Sequence, residues 1–178
     1  DVNYKDKLMN IITKYNLKQY DKGSVQMAIK KPKRINERLM AVGAMGRVMG
    51  VIIHNDYGSR NGTPEWYIGW LRNRNKELGI AHYYIDRNTI ARVIDSGDIA
   101  YHAGNYAANT GGYVGFEVCQ SRWDTGADTA TFLANEDMTL RQAAAVMKHY
   151  KLPVNRNTVR LHKEFSATSC PHRSWDLH

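Results

Sequence analysis

VMGVIIHND, residues 48–56, is the stretch on which the fold turns. Val48, Val51, Ile52 and Ile53 make a short apolar run rich in β-branched residues, which reads as a buried strand. His54 stands at the C-terminal end of that strand, so polar chemistry begins where the sheet ends. Asn55 and Asp56 follow it, residue types that form turns or line a groove.

Outward from that strand, helical and extended patterns alternate. Thr63 before Pro64 predicts a helix start, with threonine as N-cap and proline at the first helical position, and Gly79 after Leu78 is the matching stop. The helix is therefore expected over 64–78, with Trp66, Tyr67 and Trp70 expected in the core. Residues 80–95, IAHYYIDRNTIARVID, read as two strands around the turn residues 86–88, a hairpin. Residues 111–120, GGYVGFEVCQ, form another strand, whose alternation sets Phe116 and Val118 on one face and Glu117 with Cys119 on the other. Thr139 and Gln142 match a capping box for a helix running to about Tyr150. Residues 159–161 are a last short strand feeding His162. Near the N-terminus, Leu8, Ile11, Ile12 and Tyr15 recur at helical spacing, which predicts a first amphipathic helix over 4–17. With no internal repeats, the pattern gives an α/β fold: a mixed central β-sheet flanked by helices.

The chain has 178 residues, enough for one domain with a sizeable core. Its hydrophobic share of 43% and charged share of 24% are those of an ordinary globular protein. No apolar run reaches the length of a membrane span. Residues 21–46 contain glycine, proline and the run KKPKR, a composition that suits an arm or linker. Residues 1–46 therefore read as an N-terminal helix and basic arm, and 47–178 as the main domain, acting as a monomer. The net charge of +8 is uneven: residues 1–50 hold eleven Lys or Arg against four Asp or Glu, and the rest fourteen against thirteen. Such an arm suits an anionic polymer such as those of a cell wall, or simply solvent. Nucleic acid is not expected as a partner, because the basic segment carries no aromatic-rich face or recognition motif. The first ten residues, DVNYKDKLMN, lack the apolar segment and cleavage site of a secretory signal. The absence of an initial Met, and an end at RSWDLH within a plausible helix, read as a piece of a longer protein. Two cysteines, Cys119 and Cys170, are too few for a disulfide scaffold, although one bridge stays open.

His54, His162 and Cys170 all fall at the ends of expected elements. Two imidazoles and a thiolate are a set that zinc accepts, and three protein ligands with an open fourth position mark a catalytic site. No CxxC or HExxH is present, and by spacing alone these could be unrelated polar loop residues.

VIIHND, AHYYIDRNTIARVID, AYHAGN, VGFEVCQ and VRLHKEFSATSCPHRS, in this order, resemble the motifs of the zinc-dependent N-acetylmuramoyl-L-alanine amidases of the type 2 family, which includes the peptidoglycan recognition proteins. The likeness runs from about residue 48 to 175, and the last motif is most similar to amidase domains of staphylococcal phage endolysins. It implies that His54, His162 and Cys170 bind one Zn2+ ion and that Glu117 is the general base. Thr168 falls where the family places a group that polarises the substrate carbonyl. The bond cut would be the amide between N-acetylmuramic acid and L-alanine, with bacterial peptidoglycan as partner and the cell wall, reached at host lysis, as the place of action. The tyrosine that other members carry before the AHYYI-type histidine is Ala81 here, and Glu117 is taken to fill its acid/base role. His102, Asn55, Asn105 and His172 are the candidate substrate-binding residues. His82 reads as structural and Cys119 as a buried small apolar residue. Two rival readings remain: a thiol hydrolase with Cys170 as nucleophile and His162 as its base, and a peptidoglycan-binding module without turnover.

Overall fold

The computed structural model describes residues 31–178 together with Asp6, Met9, Asn10 and Thr13. The helix expected over 4–17 lies mostly outside the described residues. The four that are described are helical, with Asp6 ion-paired to Arg156 at 2.8 Å and Met9 packed on the main core.

Six strands form one sheet: β1 (Lys33–Asn36), β2 (Gly50–Asn55), β3 (Tyr83–Ile85), β4 (Thr89–Arg92), β5 (Tyr113–Val118) and β6 (Val159–Leu161), in spatial order β1-β4-β3-β5-β2-β6. Only β3 and β4 pair antiparallel, through the expected hairpin; the other neighbours run parallel. The sheet is thus mixed, and the α/β expectation holds. β2 lies between β5 and β6 and is buried at every position, as its uninterrupted apolar run requires.

The two faces of the sheet have different tasks. Val51, Ile53, Tyr83, Val114, Phe116 and Val118 point into the large core beneath the long helix α3 (Thr129–His149), which supplies Phe132, Leu140, Ala143 and Met147. On the opposite face, α1 (Pro64–Arg72) packs Tyr67, Ile68 and Leu71 against Tyr84, Ala91 and Cys119. A smaller cluster joins Ile52 and Tyr113 to Ala108 of α2 (Tyr106–Thr110). Between these two clusters the ends of β2 and β5 carry polar side chains. A short helix, α4 (His172–Leu177), closes the described chain.

Several elements differ from the expectation. α1 stops at Arg72, with Asn73 as its C-cap, and a separate 3-10 turn at Lys76–Leu78 precedes Gly79 at φ 126°. Asn73 and Asn75 are poor helix formers whose side chains bond the local backbone, and this splits the segment. α3 begins ten residues before the capping box read at Thr139 and Gln142: Asp128 is the N-cap, accepting from Thr131 N at 2.9 Å. Thr139 sits mid-helix, its hydroxyl donating to the Asn135 carbonyl. Part of the segment read as a linker is edge strand β1, upstream of the boundary drawn at 46/47, because β4 has a free edge to pair. Trp66 and Trp70 are 48% and 40% exposed rather than in the core, and only Tyr67 is buried.

Candidate active site

His54 and Glu117 are Cα partners on the adjacent parallel strands β2 and β5, so their side chains leave the sheet side by side on one face. β6 runs parallel on the other side of β2 and delivers His162 immediately after its last residue. All three groups therefore stand at the C-terminal ends of neighbouring parallel strands, where open α/β sheets place their sites. Cys170 comes from the loop after β6, and its backbone carbonyl accepts from Lys163 N at 3.0 Å, which turns the loop back over the strand ends. The result is a cluster in which one ligand atom each from His54, His162 and Cys170 lies within 4.8 Å of the others.

The donor set fits zinc: two imidazole nitrogens and a sulfur, gathered closely enough to share one ion. Cys170 Sγ lies 3.8 Å from His54 Nδ1 and receives the Asn55 backbone N–H at 3.3 Å, a bond that favours thiolate. The other nitrogen of His54, Nε2, lies 3.0 Å from His102 Nδ1, and His102 Nε2 lies 3.1 Å from the Tyr113 carbonyl. Burial, followed by the neighbouring imidazoles, holds His54 well below its ordinary value, and burial lowers His162 as well, so both rings are neutral and able to ligate. Without a cation, burial pushes the Cys170 thiol up, with Glu117 adding to it. A thiol nucleophile needs the opposite shift, and the ring beside the sulfur is His54 rather than His162, so the thiol-hydrolase reading loses its physical basis.

Glu117 stands on the wall of a cavity of about 1030 Å³ that His162 and His102 also line. Its Oε2 is buried without a hydrogen-bond partner. Burial, with a smaller push from Asp56, lifts the carboxyl to about 8. A carboxyl group that holds a proton near neutrality in a cleft is suited to proton transfer. The cavity continues past Tyr84 to Tyr57, Trp66 and Trp70 on its rim. There the two indoles stack at 5.6 Å and the Arg74 guanidinium covers Trp70 at 4.0 Å. A phenol does stand beside Ala81: the Tyr84 hydroxyl accepts from Ala81 N at 3.2 Å. Burial and then Glu117 push that phenol upward.

The remaining sequence candidates separate. Thr168 Oγ1 accepts from Cys170 N at 3.2 Å, which leaves its hydroxyl proton uncommitted next to the ligand loop. Asn55 is 6% exposed and spent on the scaffold: its Nδ2 donates to Ser174 Oγ at 2.9 Å and its Oδ1 accepts from Ser174 N at 2.9 Å. This pair ties the end of β2 to α4, just beyond Cys170. Asn105 caps α2, accepting from Ala108 N at 3.0 Å. His172 lies edge-on to Tyr57 with its Nε2 3.3 Å from the Ser121 carbonyl. His102 is 7% exposed and faces His54 more than the groove. His82 is structural, held between Gly115 N at 2.9 Å and the Asp98 carbonyl at 2.8 Å, and Cys119 is fully buried. Both cysteines are free thiols.

Sequence reasoning missed Ser174 and the strap made by Asp56. The Asp56 carboxylate accepts from Gly58 N, Gln120 N, Ser121 N and the Ser121 hydroxyl at 2.7–2.9 Å, joining the exits of β2 and β5. Gly58, where a Cβ would collide with the Asp56 carboxylate, was the available signal for that strap.

The model of the family described as N-acetylmuramoyl-L-alanine amidase matches residues 44–173. Endolysin 2638A of Staphylococcus phage 2638A is 50% identical over 135 residues, covering 74% of this chain and 27% of its own length. Endolysin LysK of Staphylococcus phage K is 42% identical over 137 residues, covering 72% of this chain and 26% of its own length. The chain thus spans about a quarter of these relatives. Among solved structures, PlyL superposes with a TM-score of 0.69 at 20% identity, over 83% of this chain and 90% of that one, a likeness of fold.

Proposed function

This chain belongs to the N-acetylmuramoyl-L-alanine amidase family, and on that footing we propose that it hydrolyses the amide between N-acetylmuramic acid and the L-alanine of the peptidoglycan stem peptide. It would do so as the amidase unit of a phage endolysin. The observation that carries this reading is the convergence of His54, His162 and Cys170 within 4.8 Å, beside a proton-holding Glu117 on a cleft wall.

His54, His162 and Cys170 hold one zinc ion in this reading. When bound, the ion supplies Lewis acidity, which polarises an amide carbonyl and makes water acidic near neutral pH. Glu117 moves the proton: a cation held beside it would favour its ionised form, which would take a proton from the attacking water and give it to the departing amine of L-alanine. The Thr168 hydroxyl, its oxygen already anchored by Cys170 N, donates to the oxygen on which charge develops. Burial of His54 and of Glu117 Oε2 strengthens both effects by lowering the screening around them. The cleft beyond, lined by Tyr57, Trp66 and Arg74, receives the rest of the substrate. The molecule works as a monomer on the bacterial wall, which it reaches from the host cytoplasm at lysis. The +7 carried by its first fifty residues draws it to anionic wall polymers.

Mass spectrometry of digests of staphylococcal peptidoglycan tests the bond. Stem peptides with a new N-terminal alanine are expected, lost on treatment with a strong chelator and restored by zinc. Products ending at any other bond would refute the assignment. Wall sedimentation that does not weaken with salt would refute the role of the basic segment.

A further inference from the structure

The contacts behind His54 fix more than its position. A backbone carbonyl only accepts, so His102 Nε2, 3.1 Å from the Tyr113 oxygen, carries a hydrogen. A neutral His102 then has a bare Nδ1. A doubly protonated ring would be a buried cation facing another imidazole instead of a carboxylate, which is costly. His54 Nε2, 3.0 Å from that bare nitrogen, must donate to it. The hydrogen of His54 is therefore on Nε2, and its Nδ1 is the free lone pair. Nδ1 is also the atom 3.8 Å from Cys170 Sγ.

We propose that His102, anchored on the Tyr113 carbonyl, is a positioning residue that locks His54 in the orientation and tautomer presenting Nδ1 to the metal. The surroundings are built for this. His102 N and Ala103 N both donate to Asn109 Oδ1, at 3.1 and 2.9 Å, which fixes the backbone from which the ring projects. The ring lies across Gly115 of β5, where a Cβ would come within 2.7 Å of it. Only glycine leaves that room, and Gly115 is two residues from Glu117 on the same face of the strand. The arrangement is a carbonyl–histidine–histidine relay in place of the single carbonyl or carboxylate that orients most metal-binding histidines. It rests on the metal reading above.

The test measures zinc affinity by chelator competition, and the His54 tautomer by nitrogen-15 NMR of the metal-free protein, in wild type, His102→Phe, His102→Asn and Gly115→Ala. The metal-free wild type should show His54 protonated on Nε2. His102→Phe keeps the ring but removes the acceptor, and should weaken zinc binding about 10- to 100-fold while His54 loses its single tautomer. His102→Asn returns an acceptor near the former Nδ1 and should recover most of that loss. Gly115→Ala displaces the ring and should behave like His102→Phe. Wild-type protein that binds no zinc would sink the metal reading itself. Zinc bound as tightly by His102→Phe as by wild type, or a wild-type His54 protonated on Nδ1, would overturn the positioning role and leave the metal site standing.

Discussion

Replacing Glu117 by glutamine in the metal-free protein tests the electrostatics of the cleft. Burial, helped by Asp56, moves the carboxyl from its ordinary 4.5 to about 8. Between those values the folded protein keeps a proton that the unfolded chain has released. The unfolded state then binds fewer protons, so stability falls as pH rises, by at most about 1.4 kcal/mol per pH unit for a single proton. The decline starts near the ordinary carboxyl value and levels off above pH of about 8, where both states are ionised. Glutamine has nearly the same shape and no proton to release. The stability of Glu117→Gln relative to wild type should therefore grow with pH, by up to about 1.4 kcal/mol per unit between roughly pH 5 and 7. Urea unfolding of both proteins in chelator, at four or five pH values and with a common m-value, measures the difference. A difference that stays flat across this window would show that Glu117 is ionised in the folded state, and the reasoning from burial would fail.

Other consequences concern the scaffold beneath the site. Ser174→Ala leaves Asn55 without one of its two side-chain acceptors and should cost about 1–3 kcal/mol in urea unfolding, with weaker zinc retention because the chain after Cys170 keeps only one of its two bonds to Asn55; an unchanged midpoint and affinity would contradict this. Phe132→Ala removes a fully buried ring that packs in the main core and faces the Arg173 guanidinium at 4.6 Å. It should cost about 3–5 kcal/mol at constant m-value, and a loss below about 1 kcal/mol would show that α3 is held by other contacts.

The His–Cys cluster arises because parallel strands share a direction. Residues 108 and 116 positions apart in sequence meet because β2 and β6 end at the same edge of the sheet, and no local pattern encodes that neighbourhood. What the sequence by itself determined was local or borne by motifs. The apolar run 51–53 had to be a strand, the Thr63–Pro64 pair had to start a helix, and alternation alone put Glu117 on the face opposite Phe116. The resemblance of the ordered motifs then pointed to His54, His162 and Cys170, the residues that the folded sheet gathers into one cluster. Signals of the same local kind failed where tertiary structure competes: Thr139 resembles a cap yet lies mid-helix, because burial of one face of α3 outweighs a weak local preference. The segment Lys33–Asn36, part of the stretch read as a basic linker, became a strand because a sheet edge was available to it. Asn55, next to His54 in sequence, and Asn105 were spent on the scaffold as tie and cap. His102 drew its place from Gly115 and from a carbonyl eleven residues away. Local propensity acts over a few residues, whereas hydrogen-bond partners and proton positions are set by whichever groups the packed sheet brings within about 3 Å of one another.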